Sequence, residues 1–273
     1  MHRFYKYQGA GNDFIVFDNR NRFFDQNNPV LVKKLCDRRF GIGADGLMLL
    51  QDHADYDFEM VYYNADGREG SLCGNGGRCI AAFANRLGIF TDKTDFMAAD
   101  GVHAAELSVG STGIFQEENA PQEVTIKLQM NDVRSIQKIG ADYVLDTGSP
   151  HLVRMVEQLN LYPVVTEGRK IRYHKQYEPG GINVNFIEQN PHGGFAIRTY
   201  ERGVEDETLA CGTGATAAAM AMAYQQQLSG EQHIPIKALG GDLMIHFHLD
   251  GEQFTQVFLE GPATFVYEGK IDF

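Results

Sequence analysis

The sequence predicts an α+β fold of two pseudo-symmetric domains, each with a helix held against or inside a strongly curved sheet. Three observations predict it: the chain repeats at one register, each repeat passes from strand-like alternation into an Ala-rich segment, and each such segment opens on Cys-Gly-x-Gly. In the first repeat Phe58-Glu-Met-Val-Tyr-Tyr63 alternates, Asn64-Ala-Asp-Gly67 turns, and Leu72-Cys73-Gly74-Asn75-Gly76-Gly77 leads into a helix reaching about Leu87. In the second, Phe195-Ala-Ile-Arg-Thr-Tyr200 alternates, Glu201-Arg202-Gly203 turns, and Ala210-Cys211-Gly212-Thr213-Gly214 leads into a helix reaching about Gln227.

The offset is 137 residues from Phe58 to Phe195 and from Gly11 to Gly148, and 138 from Cys73 to Cys211. Gly11 and Gly148 each head an apolar strand. Val124 to Met130 and Gln256 to Glu260 read as strands after turns at Asp100-Gly101 and Gly240-Gly241, with Gly110 to Pro121 as an extra loop of the first half. The first domain is expected over residues 1–132 and the second over 133–262, the final strand, 263–273, being able to pack with the first. A site at the junction would receive one cysteine from each domain, and small-molecule sites favour such clefts.

Composition narrows the function. Hydrophobic residues make up 43% of the 273 and charged residues 22%, as in an ordinary folded protein. A formal net charge of -12 argues against a nucleic-acid partner, which would call for a clustered basic surface. No apolar run approaches the ~20 residues that span a bilayer, and Met1 to Lys6 does not lead into a signal-peptide stretch, so no membrane partner and a cytoplasmic location are expected. Cys36, Cys73, Cys79 and Cys211 are too sparse for a disulfide framework. Cys73 and Cys79 also lack the neighbouring ligands a metal requires, so no metal is expected. Cys36 and Cys79 read as small buried hydrophobes.

A cysteine immediately before a helix is a different matter. There the first backbone N–H groups lack intrahelical partners and the macrodipole is positive, which favours thiolate. If the dipole contributes ~1 to 2 kcal/mol, a thiol starting near ~8.5 falls toward about 7 to 8 and becomes a usable base. The glycines let the backbone approach a bound group, and the N–H donors can hold a carboxylate while charge develops on it. Two facing thiols would share one proton, so that one takes a proton from a carbon while the other delivers one to the opposite face. No cofactor is required for that chemistry.

With Gly9-Ala-Gly-Asn-Asp-Phe14, Tyr63-Asn-Ala-Asp-Gly67, Cys73-Gly-Asn-Gly76, Tyr200-Glu-Arg-Gly203 and Ala210-Cys-Gly-Thr-Gly214 in order, the chain resembles the diaminopimelate epimerase family over nearly its whole length, including the ending Glu260-Gly-Pro262 and Val266-Tyr-Glu-Gly269. The resemblance implies barrel-like, antiparallel-rich sheets, each around a central helix, and a homodimer. It also implies cofactor-independent conversion of LL- to meso-diaminopimelate for lysine and peptidoglycan precursors. It makes Cys73 and Cys211 the proton-transfer pair, with Gly74, Asn75, Gly212 and Thr213 meeting the reacting carboxylate. Asn12, Asn64, Asn183, Glu201 and Arg202 match the family's other substrate contacts, Arg202 being suited to bidentate carboxylate capture. His151, in Gly148-Ser-Pro-His151, matches a histidine that tunes the cysteine site.

Three departures bear on specificity. Ser149 stands where the family commonly has asparagine, Gly46 where some members have glutamine, and the Glu201 to Cys211 segment is one residue longer. Ser149 can still donate a hydrogen bond, and backbone or water can stand in at Gly46. The competing readings are a racemase of another amino acid, an isomerase of the phenazine-biosynthesis type, and a module that binds without proton exchange.

Overall fold

The computed structural model describes residues 1–70, 72–108, 122–191 and 193–273. The loop expected at Gly110 to Pro121 lies outside the described residues. In chain order the first repeat supplies β1 (His2–Gly9), β2 (Asn12–Asp18), α1 (Pro29–Cys36), β3 (Gly46–Gln51), β4 (Phe58–Asn64), α2 (Gly74–Arg86), β5 (Lys93–Ala98), β6 (Gly101–Leu107) and β7 (Gln122–Gln129). The second supplies β8 (Gln137–Ile139), β9 (Asp142–Asp146), β10 (Pro150–Met155), α3 (Val164–Arg172), β11 (Asn183–Gln189), β12 (Phe195–Glu201), β13 (Asp206–Thr208), α4 (Gly212–Gln225), β14 (Gly230–Ala238) and β15 (Gly241–Asp250). The last strand, β16 (Gln253–Ile271), serves both repeats.

Two compact units result, residues 1–128 with 261–273 and residues 129–260. In the first, β1 to β7 neighbour one another in order, and the second half of β16 fills the remaining gap. Gly261 to Phe265 pair with β7, and Thr264 to Ile271 pair with β1, so eight strands close into a barrel. In the second unit β9, β10, β11, β12, β14, β15 and the first half of β16 follow in order. Closure there comes from the stretch before β9: Val133 and Phe254 exchange backbone hydrogen bonds of 2.9 and 2.7 Å, while β8 pairs with β9.

The repeat is visible in the pairing directions. The parallel pairs β2–β3 and β4–β5 recur as β10–β11 and β12–β14, among otherwise antiparallel ladders. Parallel neighbours require a crossover connection, and helices occupy all four. The sequence predicts one helix per repeat. The structure adds α1 and α3, whose apolar stripes span only 8 and 9 residues and are fixed by local contacts instead. Asn28 caps α1 by accepting from the Leu31 N–H, with Pro29 in the first turn. Gly168 lets α3 approach β12, where an added Cβ would lie 2.4 Å from Tyr200 Cβ.

Helices α2 and α4 lie inside their sheets rather than against them. Every residue of α2 from Gly74 to Asn85 is buried, as is nearly all of α4 from Gly212 to Ala223. A helix buried all round must present small or apolar side chains on every face. Ala81, Ala82 and Ala84, and the Ala215 to Ala223 run, keep these helices thin enough for eight strands to enclose. Among the described residues, no helix is long and apolar enough to cross a membrane.

Candidate active site

In the first unit the site begins at a tight hairpin. Ala10 and Gly11 both have positive φ, 53° and 86°, the conformation of a two-residue turn matched to strand twist. The turn sets Asn12 at the start of β2. Its Nδ2 donates to Asp45 Oδ2 at 2.6 Å, which turns Oδ1 toward Cys73 Sγ, 3.6 Å away. Asp45 and Asp13 are tied to Arg38, and Asp13 also to Lys6 at 2.7 Å. Burial would raise the Asp13 carboxyl, but these two cations hold it well below the usual carboxylate range.

Cys73 is the N-cap residue of α2, with extended φ and ψ of -92° and 123°, and its side chain does not cap the helix. The thiol is half-buried. The Asn75 carboxamide is buried and accepts from Arg78 at 3.2 Å, so what this residue can turn toward a ligand is its backbone N–H. Asn64 belongs to a separate group: its Oδ1 accepts from the Tyr62 hydroxyl at 3.2 Å, and its Nδ2 donates to Arg68 O at 3.4 Å. Gly46 sits beside Asn64 in the β3–β4 register, and a Cβ there would lie 2.5 Å from the Tyr62 ring. The Tyr62 ring occupies the space a glutamine at 46 would need.

The second unit builds its counterpart around α4. Cys211 is the N-cap residue, at φ -118° and ψ 112°, and again its side chain makes no capping bond. Thr213 Oγ1 lies 3.4 Å from Cys211 Sγ and 2.9 Å from His151 Nε2. His151 Nδ1 is 3.1 Å from Asn185 Nδ2, and Asn185 Oδ1 accepts from Thr199 Oγ1 at 2.9 Å. Asn185 Nδ2 also donates to Leu152 O at 3.0 Å, and because a carbonyl can only accept, this fixes the amide orientation, so Asn185 donates to Nδ1 and the His151 proton rests on Nε2, facing Thr213. A second cluster joins Ser149, Asn183 and Arg202. Ser149 Oγ accepts from Asn183 Nδ2 at 2.7 Å and from Arg202 Nη2 at 3.4 Å, and Asn183 Oδ1 accepts from the Arg202 N–H at 2.8 Å. Glu201 accepts from the Thr208 hydroxyl of β13 at 2.9 Å.

Sequence pattern singles out neither Asn185 nor Asp45, although Asn185 positions His151 and Asp45 positions Asn12. Asn185 had a signal: a polar residue two positions after Asn183 in an otherwise apolar strand, on the same face. Asp45 had none beyond its place before Gly46. The remaining cysteines are set apart by burial, which pushes the Cys36 and Cys79 thiols up to about 12. Among the described residues, no group of three or more His, Cys, Asp or Glu side chains is arranged to hold a metal ion.

His151 gives the site a pH signature. Full burial, helped by the Arg202 charge, lowers its pKa from 6.5 to about 3. The unfolded chain therefore binds a proton that the native protein refuses, and stability falls as pH drops from 6.5 toward 3. The loss approaches about 1.4 kcal/mol per pH unit. Urea unfolding between pH 7 and 4.5 should show a shallower slope for His151→Gln than for the unaltered protein, by about one proton. Parallel slopes would mean that His151 is protonated in the native state.

A family model described as diaminopimelate epimerase matches residues 4–121 and 143–266. The diaminopimelate epimerase of Flavobacterium psychrophilum is 48% identical over 270 residues, spanning 98% of this chain and 100% of its own length. That of Chlorobaculum tepidum is 43% identical, spanning 96% of this chain and 98% of its own. Among solved structures, a Bacillus anthracis phenazine biosynthesis protein of the PhzF family superposes with a TM-score of 0.78 at 13% identity, over 100% of this chain and 99% of its own. A hydroxyproline epimerase from Agrobacterium vitis, with bound trans-4-hydroxy-L-proline, superposes with a TM-score of 0.67 at 14% identity, over 98% and 90%. At such identities the two structures speak to the fold alone.

Proposed function

Because the chain belongs to the diaminopimelate epimerase family and is an amino-acid epimerase, we propose that it converts LL-2,6-diaminopimelate to the meso form by a two-cysteine, two-base proton transfer without a cofactor. One thiolate of the Cys73 and Cys211 pair removes the α-proton. The electron pair passes into the adjacent carboxylate as enediolate-like charge, and the other thiol then protonates the opposite face of the carbon. The reverse reaction exchanges their roles.

The observation that carries this reading is that both repeats set a half-buried thiol at the N-cap of an enclosed helix, next to Gly74 and Asn75 in one and Gly212 and Thr213 in the other. Backbone N–H groups at those helix starts are suited to hold the reacting carboxylate as charge builds on it. Arg202 captures the distal carboxylate, supported by Ser149 and Asn183. Asn12, Asn64 and Glu201 complete recognition of the ammonium and carboxylate groups, and His151 acts on Cys211 through Thr213. We further propose a homodimer located in the cytoplasm that supplies lysine and peptidoglycan precursors.

Solvent-deuterium exchange tests the proposal. In deuterated, reducing buffer without added cofactor, LL- or meso-diaminopimelate should gain deuterium at the α-carbon together with stereoinversion. Folded, reduced protein that leaves diaminopimelate unlabelled but exchanges proline or hydroxyproline would transfer the reading to another amino acid. Labelling of neither would leave binding without proton exchange.

A further inference from the structure

Asn185 is fully buried in the middle of β11, paired in register with Thr199 of β12, and has no part in the proton transfer itself. A buried carboxamide is costly unless its donors and acceptor are satisfied, and here they are. Nδ2 donates to Leu152 O at 3.0 Å and to His151 Nδ1 at 3.1 Å, and Oδ1 accepts from Thr199 Oγ1 at 2.9 Å. The direction of the chain follows from its first link. Leu152 O can only accept, so the amide nitrogen faces His151, and Nδ1 must accept from it. That leaves the imidazole neutral with its proton on Nε2. Burial, helped by the Arg202 charge, works the same way by lowering the His151 pKa to about 3. Nε2 donates in turn to Thr213 Oγ1 at 2.9 Å. Among the described residues, the other polar atom within hydrogen-bond reach of Thr213 Oγ1 is Cys211 Sγ at 3.4 Å, so the hydroxyl hydrogen has the sulfur as its acceptor. Each donor is set by the one before it, and a hydroxyl that already accepts is a better donor.

The repeat shows that the fold does not require polar residues at these places. At the offset of 137, Phe14, Met48 and Tyr62 stand where His151, Asn185 and Thr199 do. They pack about the start of α2: a Cβ at Gly76 would lie 3.3 Å from Met48 Sδ and 3.6 Å from the Phe14 ring, and Phe14 meets the Tyr62 ring edge-on with centroids 6.2 Å apart. A helix start inside this barrel can therefore be walled by apolar and aromatic side chains. The second unit instead buries three polar side chains, and their hydrogen bonds run in one direction toward Thr213 and the Cys211 sulfur. Arg202 lies nearby, but its guanidinium donates outside the chain, to Gly180 O and Ser149 Oγ.

We propose that Asn185 is a positioning residue for Cys211: by fixing the His151 tautomer it turns the Thr213 hydroxyl hydrogen toward the sulfur, where it favours thiolate. The proposal rests on the two-cysteine reading, but its test reads proton positions directly and does not require epimerisation. Other groups about Cys211 set where its titration begins, whereas the relay sets the shift between variants. Nitrogen-15 NMR of histidine-labelled protein, with His151→Gln identifying the resonances, should show His151 at neutral pH as one tautomer, protonated on Nε2 and bare on Nδ1. Initial alkylation rates by iodoacetamide, followed against pH and resolved by peptide mass spectrometry, give a midpoint for Cys211. Thr213→Val should raise it by about one pH unit, and Thr213→Ser, which keeps the hydroxyl, should leave it close to the unaltered value. Asn185→Leu should raise it by at least about half a unit, with no rise at Cys73.

A His151 proton on Nδ1, or a protonated ring at neutral pH, overturns the proposal without any variant. An unchanged Cys211 midpoint in folded Thr213→Val or folded Asn185→Leu does so as well. Cys36 and Cys79 report folding in the same experiment, because they react only if their enclosure is lost. Should they react in Asn185→Leu, the His151 tautomer in the unaltered protein and the contrast between Thr213→Val and Thr213→Ser decide the matter. Failure of the epimerase reading would show instead as absence of deuterium uptake, with the tautomer and the Cys211 shifts intact.

Discussion

Replacing either Cys73 or Cys211 by alanine is expected to lower kcat for epimerisation by at least about 10³-fold, some 4 kcal/mol of transition-state stabilisation. Inversion requires a base on one face and an acid on the other, so neither single variant can complete it. Exchange without inversion should survive in part. A variant with one cysteine left can still remove the proton that points at it and return a solvent-derived one to the same face. Cys73→Ala and Cys211→Ala should therefore retain slow deuterium uptake with opposite preferences for the configuration of the reacting carbon. Retention of a tenth or more of the inversion rate in either folded variant would remove that cysteine from the mechanism.

Gly214→Ala is expected to destabilise the protein by roughly 2 to 5 kcal/mol, combining overpacking with the disturbance of a buried amide. The new Cβ would lie 2.4 Å from Asn185 Oδ1 and 3.3 Å from both Cβ and Sγ of Cys211. Asn185 cannot step aside. It is fully buried and bound at three points, to Thr199, to His151 and to Leu152 O at 3.0 Å. The repeat again provides the control, since Gly76 stands where Gly214 does and Met48 where Asn185 does. A Cβ at Gly76 would meet Met48 Sδ at 3.3 Å, and a thioether can yield. Gly76→Ala should change stability by less than about 1 kcal/mol, helped by the helix preference for alanine over glycine. Urea unfolding of the two variants measures the difference, and similar costs would contradict this account of the Asn185 network.

What the sequence discloses here is what local pattern and repetition can carry. Alternation marks β4 and β12, and Cys-Gly-x-Gly at a constant offset marks both helix starts, because each depends only on neighbouring residues. Ring closure is not disclosed: β1 pairs with residues 264–271, and no periodicity within either segment announces the other. The exchange of a side chain at Gly46 for the Tyr62 ring is likewise invisible along the chain, since β3 and β4 must be paired before the two positions meet. Arg78 reads as an unremarked charge near a helix start. Its isolation from water is completed partly by Pro262, from the far end of the sequence.

Strand β16 also has a consequence for the order in which the protein can be made. The second unit ends at Glu260, and all of its strands have been synthesised once that residue is added. The first unit still lacks Gly261 to Ile271, the strand that joins β7 to β1. While residues 129–260 emerge from the ribosome, the earlier-made sheet stays open along both of those edges, with backbone donors and acceptors unpaired. The unit made first is thus the last to close, and during translation its exposed edges are the part of the nascent chain most prone to pairing with other strands.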